Sequence, residues 1–345
     1  MSLDRLRHMD RFSLRRFSLP AANQMVTRAV LVVVAMSMLG THAQQRVPPD
    51  PDAMAPADLI LFDSRTSEAS ENIFVIRPDG SGLRQLTSAV RGSALSYARM
   101  ASWSSDRRQI VFAGYDEEGY KADRGDIYLL DADGTNLTRL DCPDDGGCSQ
   151  PRWSPDNKHI LFVVGQVGEA ESAIFVMRAD GQNPRQLSPW GMWGTWSPNG
   201  EQIAFSSLGR VGTWQEGDPI DLFVMNTAGS NSRRLTEQQG VNQDPDWSPD
   251  GRRLVFDSTR DGGNYEIYTM ELDTGLVRRL TDHPAADARP AFSPDGQHIV
   301  FHSNRGDNGQ SDLYDLYVMD RDGSNLRRLT KLGAEGGPNA AHPDW

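Results

Sequence analysis

The sequence predicts an all-β fold built from repeated four-stranded units, and three observations support this prediction. A Trp or Phe followed by a turn sequence such as Ser-Pro-Asp-Gly recurs at intervals of 43 to 53 residues. Short runs rich in Val, Ile, Phe and Tyr lie between these turns and are separated by Gly, Asp, Asn and Pro. The repeat region shows no sustained helical periodicity. Units of about 45 residues with four strands are typical of propeller blades, so we predict a β-propeller of four-stranded antiparallel blades.

The first strand of each repeat ends at an aromatic anchor that precedes a turn. In Ser-Pro-Asp-Gly, Pro pre-sets φ at the second position, while Ser and Asp bond to the local backbone and Gly takes the fourth position. We assign the anchors a packing role, because packing and turn chemistry already explain them. The anchors are Trp103, Trp153, Trp196, Trp247, Phe292 and Trp345.

The second strand of each repeat ends in Phe, and the third has the pattern of Ile or Leu followed by an aromatic residue. A sequence such as Asp131-Ala-Asp-Gly then leads into a fourth run that closes on Leu-Thr or a near relative. These Asp-rich segments also suggest calcium, but they lack the later ligands of an EF-hand loop and occur where a hairpin turn is required. The third strands begin at Ile73, Ile127, Ile174, Leu222, Ile267 and Leu316.

The two ends of the repeat region each carry part of one unit. Residues 59–62, LILF, match a second strand, and residues 71–76 and 82–87 match the third and fourth strands. The strand with the aromatic anchor is missing there, and the C-terminal sequence AAHPDW provides one. We therefore expect a six-bladed β-propeller over residues 59–345, closed by the C-terminal strand joining the N-terminal blade.

The N-terminal segment has the pattern of an export signal. Arg28 precedes the apolar run of residues 29–40, and Thr41 and Ala43 occupy the small-residue positions before a cleavage point. We predict a signal peptide over residues 1–43. An uncleaved anchor is the competing interpretation, although the apolar run is short for a bilayer span.

Two further predictions concern the chain around this signal. A true start at Met25 would give a signal of ordinary proportions, and the Pro- and Asp-rich residues 44–58 resemble a linker. The chain has 35 Lys+Arg and 47 Asp+Glu, and removing residues 1–43, with six Arg and two Asp, changes the net charge from −12 to −16. An acidic chain without a basic cluster beyond its N-terminus argues against nucleic acid or an anionic membrane as the partner.

Two cysteines are present, and they lie close together in the sequence. Cys142 and Cys148 flank the segment PDDGG. Export to an oxidising compartment and a Gly-rich loop favour a small disulfide, whereas two cysteines without paired histidines make a poor zinc site. We therefore predict a Cys142–Cys148 disulfide, no metal site and no cofactor.

The repeat pattern WSPDG, I-x-F, S-x-R, IYxMDxDG and RRLT resembles the propeller repeat of TolB, a family of the periplasmic Tol-Pal envelope system. Residues 301–330 are the closest copy, and the resemblance covers residues 59–345. TolB has an α/β domain before its propeller, whereas only a short linker separates the predicted cleavage site from the first strand here. The resemblance implies the propeller alone, so any role of the additional TolB domain is not implied.

Candidate binding residues follow from the expected position of the loops. Function in a propeller usually lies at one end of the central channel, and the residue three before each anchor should lie near the channel mouth. These residues differ completely between repeats, which is the expectation both for an asymmetric binding surface and for neutral drift on a loop. Trp190 is expected near the same face, and the tryptophans there are either exposed for binding or buried for packing. The candidates are Met100, Gln150, Trp190, Trp193, Asp244, Arg289 and His342.

Catalysis finds little support in the sequence, which contains no G-x-S-x-G, no H-E-x-x-H and no Gly-rich phosphate loop. We predict a non-enzymatic, monomeric, TolB-like scaffold that is periplasmic or secreted and does not span the membrane after signal removal. Its expected partner is an envelope protein or lipoprotein, with a role in cell-envelope maintenance. The alternative is a carbohydrate-binding or metal-assisted carbohydrate-active protein with its site at the channel mouth.

Overall fold

The structure is a computed structural model that divides into two units, Met1–Pro51 and Asp52–Trp345. It describes residues of the second unit only. The predicted signal peptide (1–43), the alternative start at Met25 and the predicted linker (44–58) lie outside the described residues. The described ranges are 59–67, 70–87, 95–116, 124–143, 147–165, 172–209, 218–237, 239–307, 313–332 and 339–345.

Almost all regular structure in these ranges is β-strand; one 3₁₀ turn occurs at Arg305–Asp307, and no described segment forms an α-helix. The strands are β1 (Ile60–Ser67), β2 (Ser70–Ile76), β3 (Arg84–Gln85), β4 (Tyr97–Trp103), β5 (Gln109–Tyr115), β6 (Asp126–Asp131), β7 (Thr138–Leu140), β8 (Cys148–Trp153), β9 (His159–Val164), β10 (Ala173–Arg178), β11 (Arg185–Ser188), β12 (Met192–Trp196), β13 (Gln202–Ser207), β14 (Asp221–Asn226), β15 (Arg233–Arg234), β16 (Asn242–Trp247), β17 (Arg253–Ser258), β18 (Glu266–Glu271), β19 (Val277–Arg279), β20 (Asp287–Phe292), β21 (His298–Ser303), β22 (Asp315–Asp320), β23 (Arg327–Arg328) and β24 (Ala340–Asp344).

Four antiparallel sheets each contain four consecutive strands, namely β8–β11, β12–β15, β16–β19 and β20–β23. The other eight strands form one sheet in the order β24-β1-β2-β4-β5-β6-β7, with β3 beside β2. Within it, β2 and β4 are joined by a single parallel pairing, Glu71 with Tyr97. This sheet therefore contains two further sets of four strands, one on each side of the pairing: β24 with β1–β3, and β4–β7. The prediction of an all-β fold made of four-stranded antiparallel units is confirmed.

The C-terminal strand β24 pairs antiparallel with β1. Ala341 lies opposite Asp63, and Asp344 lies opposite Leu61. The backbone N–H of Ala340 also donates to the carbonyl oxygen of Tyr314, at 2.9 Å. The strand with the last aromatic anchor therefore lies where the sequence analysis expects it, beside the first strand of the repeat region.

The second strand of each set forms its buried centre. The Phe that ends its apolar core is at most 1% exposed in all six sets. Its ring lies beside an aromatic ring of the third strand, as in Phe112 and Tyr128, whose ring centroids are 5.6 Å apart. Neighbouring sets pack face to face, so that Val111 shares a core cluster with Trp153 of the next set. Burying one such Phe stabilises the fold by about 1.5–3 kcal/mol before entropy is counted.

The turns have the chemistry that the sequence predicts. In the Ser248 turn, the N–H of Gly251 donates to the Ser248 carbonyl at 2.8 Å, and the Ser248 hydroxyl donates to Asp250 at 2.6 Å. In the Asp131 segment, the N–H of Gly134 donates to the Asp131 carbonyl at 2.8 Å. In the same segment the Asp133 carboxylate accepts from the N–H of Thr135 at 2.9 Å, so Asp133, like Asp250, has a partner within its own turn.

The predicted disulfide is present between Cys142 and Cys148. It joins the chain just after β7 to the first residue of β8, and so links one four-stranded set to the next. Within the described ranges, no helix has the length and apolar character needed to cross a bilayer.

Candidate functional site

The innermost strand of each set carries a β-bulge at the predicted site position. In β8, for example, the pairing with β9 shifts between Ser149 and Arg152. The residue inside each bulge has a left-handed backbone, which is uncommon for non-Gly residues and costs about 1–2 kcal/mol. A bulge of this kind re-aims a side chain that regular alternation would place elsewhere. The bulge residues and their φ angles are Met100 (56°), Gln150 (53°), Trp193 (51°), Asp244 (49°), Arg289 (54°) and His342 (47°).

These six bulge residues line one cavity, which we call the inner-strand cavity. The space that the centres of water-sized molecules can occupy is about 40 Å³, within about 540 Å³ not filled by protein atoms, which includes open solvent. Each of the six sets contributes its own bulge residue, so the cavity belongs to the whole repeat array. The other lining residues include Arg152, Asp246, Asp344, Pro245, Pro290 and Pro343.

Trp190, the seventh candidate, does not line this cavity. Its ring packs against Phe205 at 5.9 Å and against Phe223 at 5.4 Å between centroids. Proximity in sequence to Trp193 therefore did not bring Trp190 to the same site. Its contacts are those of a packing residue, which is one of the two alternatives that the sequence left open.

Asp244, Arg289 and Trp193 form the charged and aromatic part of the cavity wall. Arg289 Nη1 donates to Asp244 Oδ1 at 3.1 Å, and the guanidinium lies 5.7 Å from the Trp193 ring centroid. The second oxygen, Asp244 Oδ2, is buried and has no hydrogen-bond partner among the described residues. Burial raises the pKa of Asp244, and the positive charges of Arg289 and Arg152 oppose that rise.

Gln150 faces the cavity with an unused donor. Its Oε1 accepts a hydrogen bond from the backbone N–H of Trp193, which determines the orientation of the amide. Its Nε2 is buried and has no hydrogen-bond partner among the described residues. The indole Nε1 of Trp193 is likewise buried without one. Two residues that line the cavity thus each have a buried N–H group that no described residue satisfies.

A second row of polar residues lies behind the bulges, and the sequence analysis missed it. The residue after the central Phe of the second strand is Asp63, Asp257 or His302 in three sets, and all three are buried. The carboxylates bond to bulge residues: Asp63 accepts from the N–H of Met100 at 2.9 Å, and Asp257 accepts from the N–H of Arg289 at 2.8 Å. An ionisable residue inside an otherwise apolar strand was the signal that could have revealed this row.

Asp63 and His342 are in direct contact at the pairing of β1 with β24. His342 Nδ1 lies 2.8 Å from Asp63 Oδ1 and 3.0 Å from Oδ2. Burial raises the pKa of Asp63 to about 7, an effect that the charge of Arg99 opposes. Burial holds the pKa of His342, and also that of His302, well below the usual value. Both imidazoles are therefore neutral at pH 7.

Two further acidic residues that line the cavity connect neighbouring sets. Asp246 Oδ2 accepts from the backbone N–H of Phe292 at 2.9 Å, and Asp344 Oδ2 accepts from that of Trp103 at 3.0 Å. Both donors are aromatic anchors of the adjacent set. Burial raises the pKa of Asp246 to about 6. These two carboxylates have a structural role, because each stabilises the junction between two sets.

The arrangement is suited to electrostatic and hydrogen-bond recognition. It combines an aromatic ring, a guanidinium, an amide and buried carboxylates in one recess, which is typical of a ligand or partner site. Across the described ranges, no three His, Cys, Asp or Glu side chains are grouped so that they could hold a metal ion.

Comparison with known proteins agrees with the repeat pattern. Residues 262–344 match the model of the TolB beta propeller domain. An uncharacterized protein of Agrobacterium fabrum is 31% identical over 163 residues, which are 45% of this chain and 52% of that protein. The Tol-Pal system protein TolB of Anaeromyxobacter dehalogenans is 35% identical over 99 residues, which are 28% of this chain and 21% of that protein. The chain thus spans about half or less of the length of these relatives.

A solved structure is also similar. The crystal structure of TolB from Acinetobacter baumannii superposes with a TM-score of 0.67 at 22% identity, over 84% of this chain and 66% of that one. The fold and the cavity define a β-propeller repeat protein. Its repeats are TolB-like, as the sequence pattern implies.

Proposed function

We propose that this protein is a non-enzymatic binding scaffold that receives a protein partner at the inner-strand cavity. In this proposal the six four-stranded sets are six blades, and β24 closes the ring by pairing with β1. The Tol-Pal system protein among its relatives supports a partner of the cell envelope, a protein or lipoprotein. The disulfide supports export to the periplasm or beyond, because such bonds persist in oxidising compartments.

One observation carries the proposal: the same strained backbone position presents six different side chains to a single cavity. All six bulge residues share the left-handed conformation, whereas their side chains differ in size, polarity and charge. Because the backbone conformation is the same in all six sets and the side chains differ, the cavity wall is chemically asymmetric although the backbone repeats. Such a surface can recognise one orientation of one partner.

The test compares two double variants of the exported chain as bait for an envelope extract. Trp193→Ala/Arg289→Ala removes the aromatic and cationic groups of the cavity. Arg185→Ala/Leu276→Ala removes a cationic and an apolar group from exposed positions, at the start of β11 and just before β19, and is the control. We expect the wild-type protein and the control to retain the same envelope protein, and the cavity variant to retain at least about tenfold less of it.

The same samples discriminate the alternative function. Bound metal is measured on the purified bait, and polysaccharide binding is measured in parallel. If both double variants retain the envelope protein as well as wild type does, the partner binds outside the cavity. That result would contradict the proposal. Stoichiometric metal together with cavity-dependent polysaccharide binding, and no retained protein, would favour the carbohydrate-active alternative.

A further inference from the structure

The walls of the inner-strand cavity, with the residues directly behind them, contain more carboxylates than guanidinium groups. Arg152 and Arg289 line the cavity, and Arg65 and Arg99 place positive charge beside the buried acids behind it. The histidines there are neutral at pH 7, and burial raises the pKa values of Asp63 and Glu71 to about 7 and that of Asp257 well above its usual value. The number of carboxylates is therefore larger than the number of negative charges in this region. The carboxylates are Asp63, Glu71, Asp244, Asp246, Asp257 and Asp344.

Most of these carboxylates are occupied by the protein itself. Glu71 lies 3.0 Å from Arg99, and Asp63 contacts His342 and the N–H of Met100. Asp246 and Asp344 accept from the backbone of neighbouring sets, and Asp257 accepts from the backbone of Arg289. These contacts stabilise the sets and the junctions between them.

Asp244 and Asp257 each have one buried carboxylate oxygen without a hydrogen-bond partner among the described residues, but of these two residues only Asp244 lines the cavity. Arg289 occupies Oδ1 only, and Oδ2 is buried without a hydrogen-bond partner among the described residues. A buried carboxylate oxygen that lacks a donor is costly, and a charged donor would satisfy it best. The unsatisfied carboxylate oxygen therefore points to a cation.

Gln150 provides a second, independent sign that something enters the cavity. It is only 5% exposed, and its Nε2 has no hydrogen-bond partner in the described part of the chain. An N–H donor requires an acceptor, and a carbonyl oxygen is the commonest one in proteins. A peptide segment supplies both complements, because it carries main-chain carbonyls beside its charged side chain.

We propose that the inner-strand cavity binds an ammonium or guanidinium group of a lysine or arginine on the partner protein, with Asp244 Oδ2 as its acceptor and Gln150 Nε2 donating to a carbonyl of the same segment. This inference rests on the proposed function, which it refines by naming the chemistry of the partner. An acidic partner is less well served, because Arg289 is already paired with Asp244 and stacked on Trp193. An anion would have to compete with both contacts.

The experiment uses a displayed library of random heptapeptides selected on the immobilised full chain. We expect peptides with Lys or Arg at one shared position. A selected peptide is then synthesised, and its dissociation constant is measured by calorimetry beside copies in which that residue is Gln or Glu. The Gln copy should bind about tenfold more weakly, as expected for the loss of one charge-assisted hydrogen bond, and the Glu copy weaker still.

Variants of the protein report on the acceptor. Asp244→Asn removes the charge at nearly constant shape. The dissociation constant of the cationic peptide should rise about tenfold. Asp273→Asn removes an equal charge at an exposed turn and should leave the affinity unchanged. Arg289→Gln removes the internal competitor, so it should leave the cationic peptide as tightly bound or tighter. A thermal melt of each variant verifies that it is folded, and the peptide series tests the proposal even if one variant is not.

Two failures can be told apart. Selection of Asp- or Glu-rich peptides that Arg289→Gln releases would overturn the cationic assignment and leave the scaffold proposal standing. Equal binding of the cationic peptide to Asp244→Asn and wild type would also overturn the assignment. Selected peptides that bind equally to a Trp193→Ala protein, in which both charges of the cavity are retained, or no selection at all, would count against the scaffold proposal itself.

Discussion

Single residues matter most where an ionisable group is buried beside the inner-strand cavity. Asp63 is 0% exposed, and its carboxyl is hydrogen-bonded to the backbone and in contact with His342. Burial raises its pKa to about 7, so the folded protein holds this proton far more tightly than the unfolded chain does. The stability that this proton contributes is complete below pH 4 and is lost as the pH rises towards 7.

Replacing Asp63 with Asn should therefore stabilise the folded protein, relative to wild type, more at high pH than at low pH. Asn mimics the protonated acid and can still accept from Met100. We expect the free energy of unfolding of Asp63→Asn minus that of wild type to increase by on the order of 2 kcal/mol between pH 5.5 and pH 8. The variant is then the relatively more stable protein at high pH. Urea unfolding at a series of pH values measures this difference.

Asp79→Asn is the control for this prediction. Asp79 is exposed, and its hydrogen bonds with Ser81 hold its pKa below the usual value, so its effect should be constant over the same pH range. His302 and His342 act in the opposite direction, because burial lowers their pKa values. His342 contacts Asp63, and the charge of Asp63 raises the pKa of Glu71, so the measured difference includes the response of both neighbours. A pH-independent difference for Asp63→Asn would contradict the argument.

At the scale of single elements, the inner strands and their bulges determine the site. A residue three positions before an aromatic anchor lies in a bulge in all six sets, and this position was predictable from the repeat spacing alone. The role of Trp190 was not predictable, because its contacts come from Phe205 and Phe223 on strands that follow it in the chain. Sequence spacing reveals the backbone position, whereas packing decides where a side chain rests.

The connection between β7 and β8 contains the disulfide between Cys142 and Cys148. The disulfide closes a loop with a sequence separation of 6 between its cysteines. Closing so short a loop restricts the unfolded chain by about 2 kcal/mol in the chain-entropy model. The double variant Cys142→Ala/Cys148→Ala should lose about this much free energy of unfolding. A reductant should destabilise the wild-type protein similarly and leave the variant unchanged; if it affects both alike, the disulfide is not the cause.

At the scale of the whole molecule, one short strand joins the two ends of the repeat array. β24 pairs with β1, carries His342 to the cavity and sends Asp344 to the backbone of Trp103. Ala340 is fully buried in a cluster with residues of β1 and β22. Contacts between residues so distant in sequence depend on the completed array.

A chain without residues 339–345 should therefore be less stable by at least about 3 kcal/mol, the scale of a large core deletion. A synthetic peptide with the sequence NAAHPDW should restore part of that stability when it is added in excess, because it can occupy the position beside β1. Thermal melts followed by circular dichroism measure both effects. The same peptide with Ala340→Asp should have no effect, because it would bury an unpaired charge; equal rescue by the two peptides would refute strand docking.

The sequence by itself determined the repeat, the four-strand unit, the turns, the disulfide and the backbone positions of six site residues. These features depend on local chemistry: turn residues, alternating burial and regular spacing, which a single chain displays in order. Only the tertiary structure decided that Asp63, Asp257 and His302 form a second row, that Trp190 packs away from the cavity, and that one oxygen of Asp244 lacks a donor. Each of these depends on groups brought together from different sets, and burial and hydrogen-bond satisfaction exist only once those groups meet.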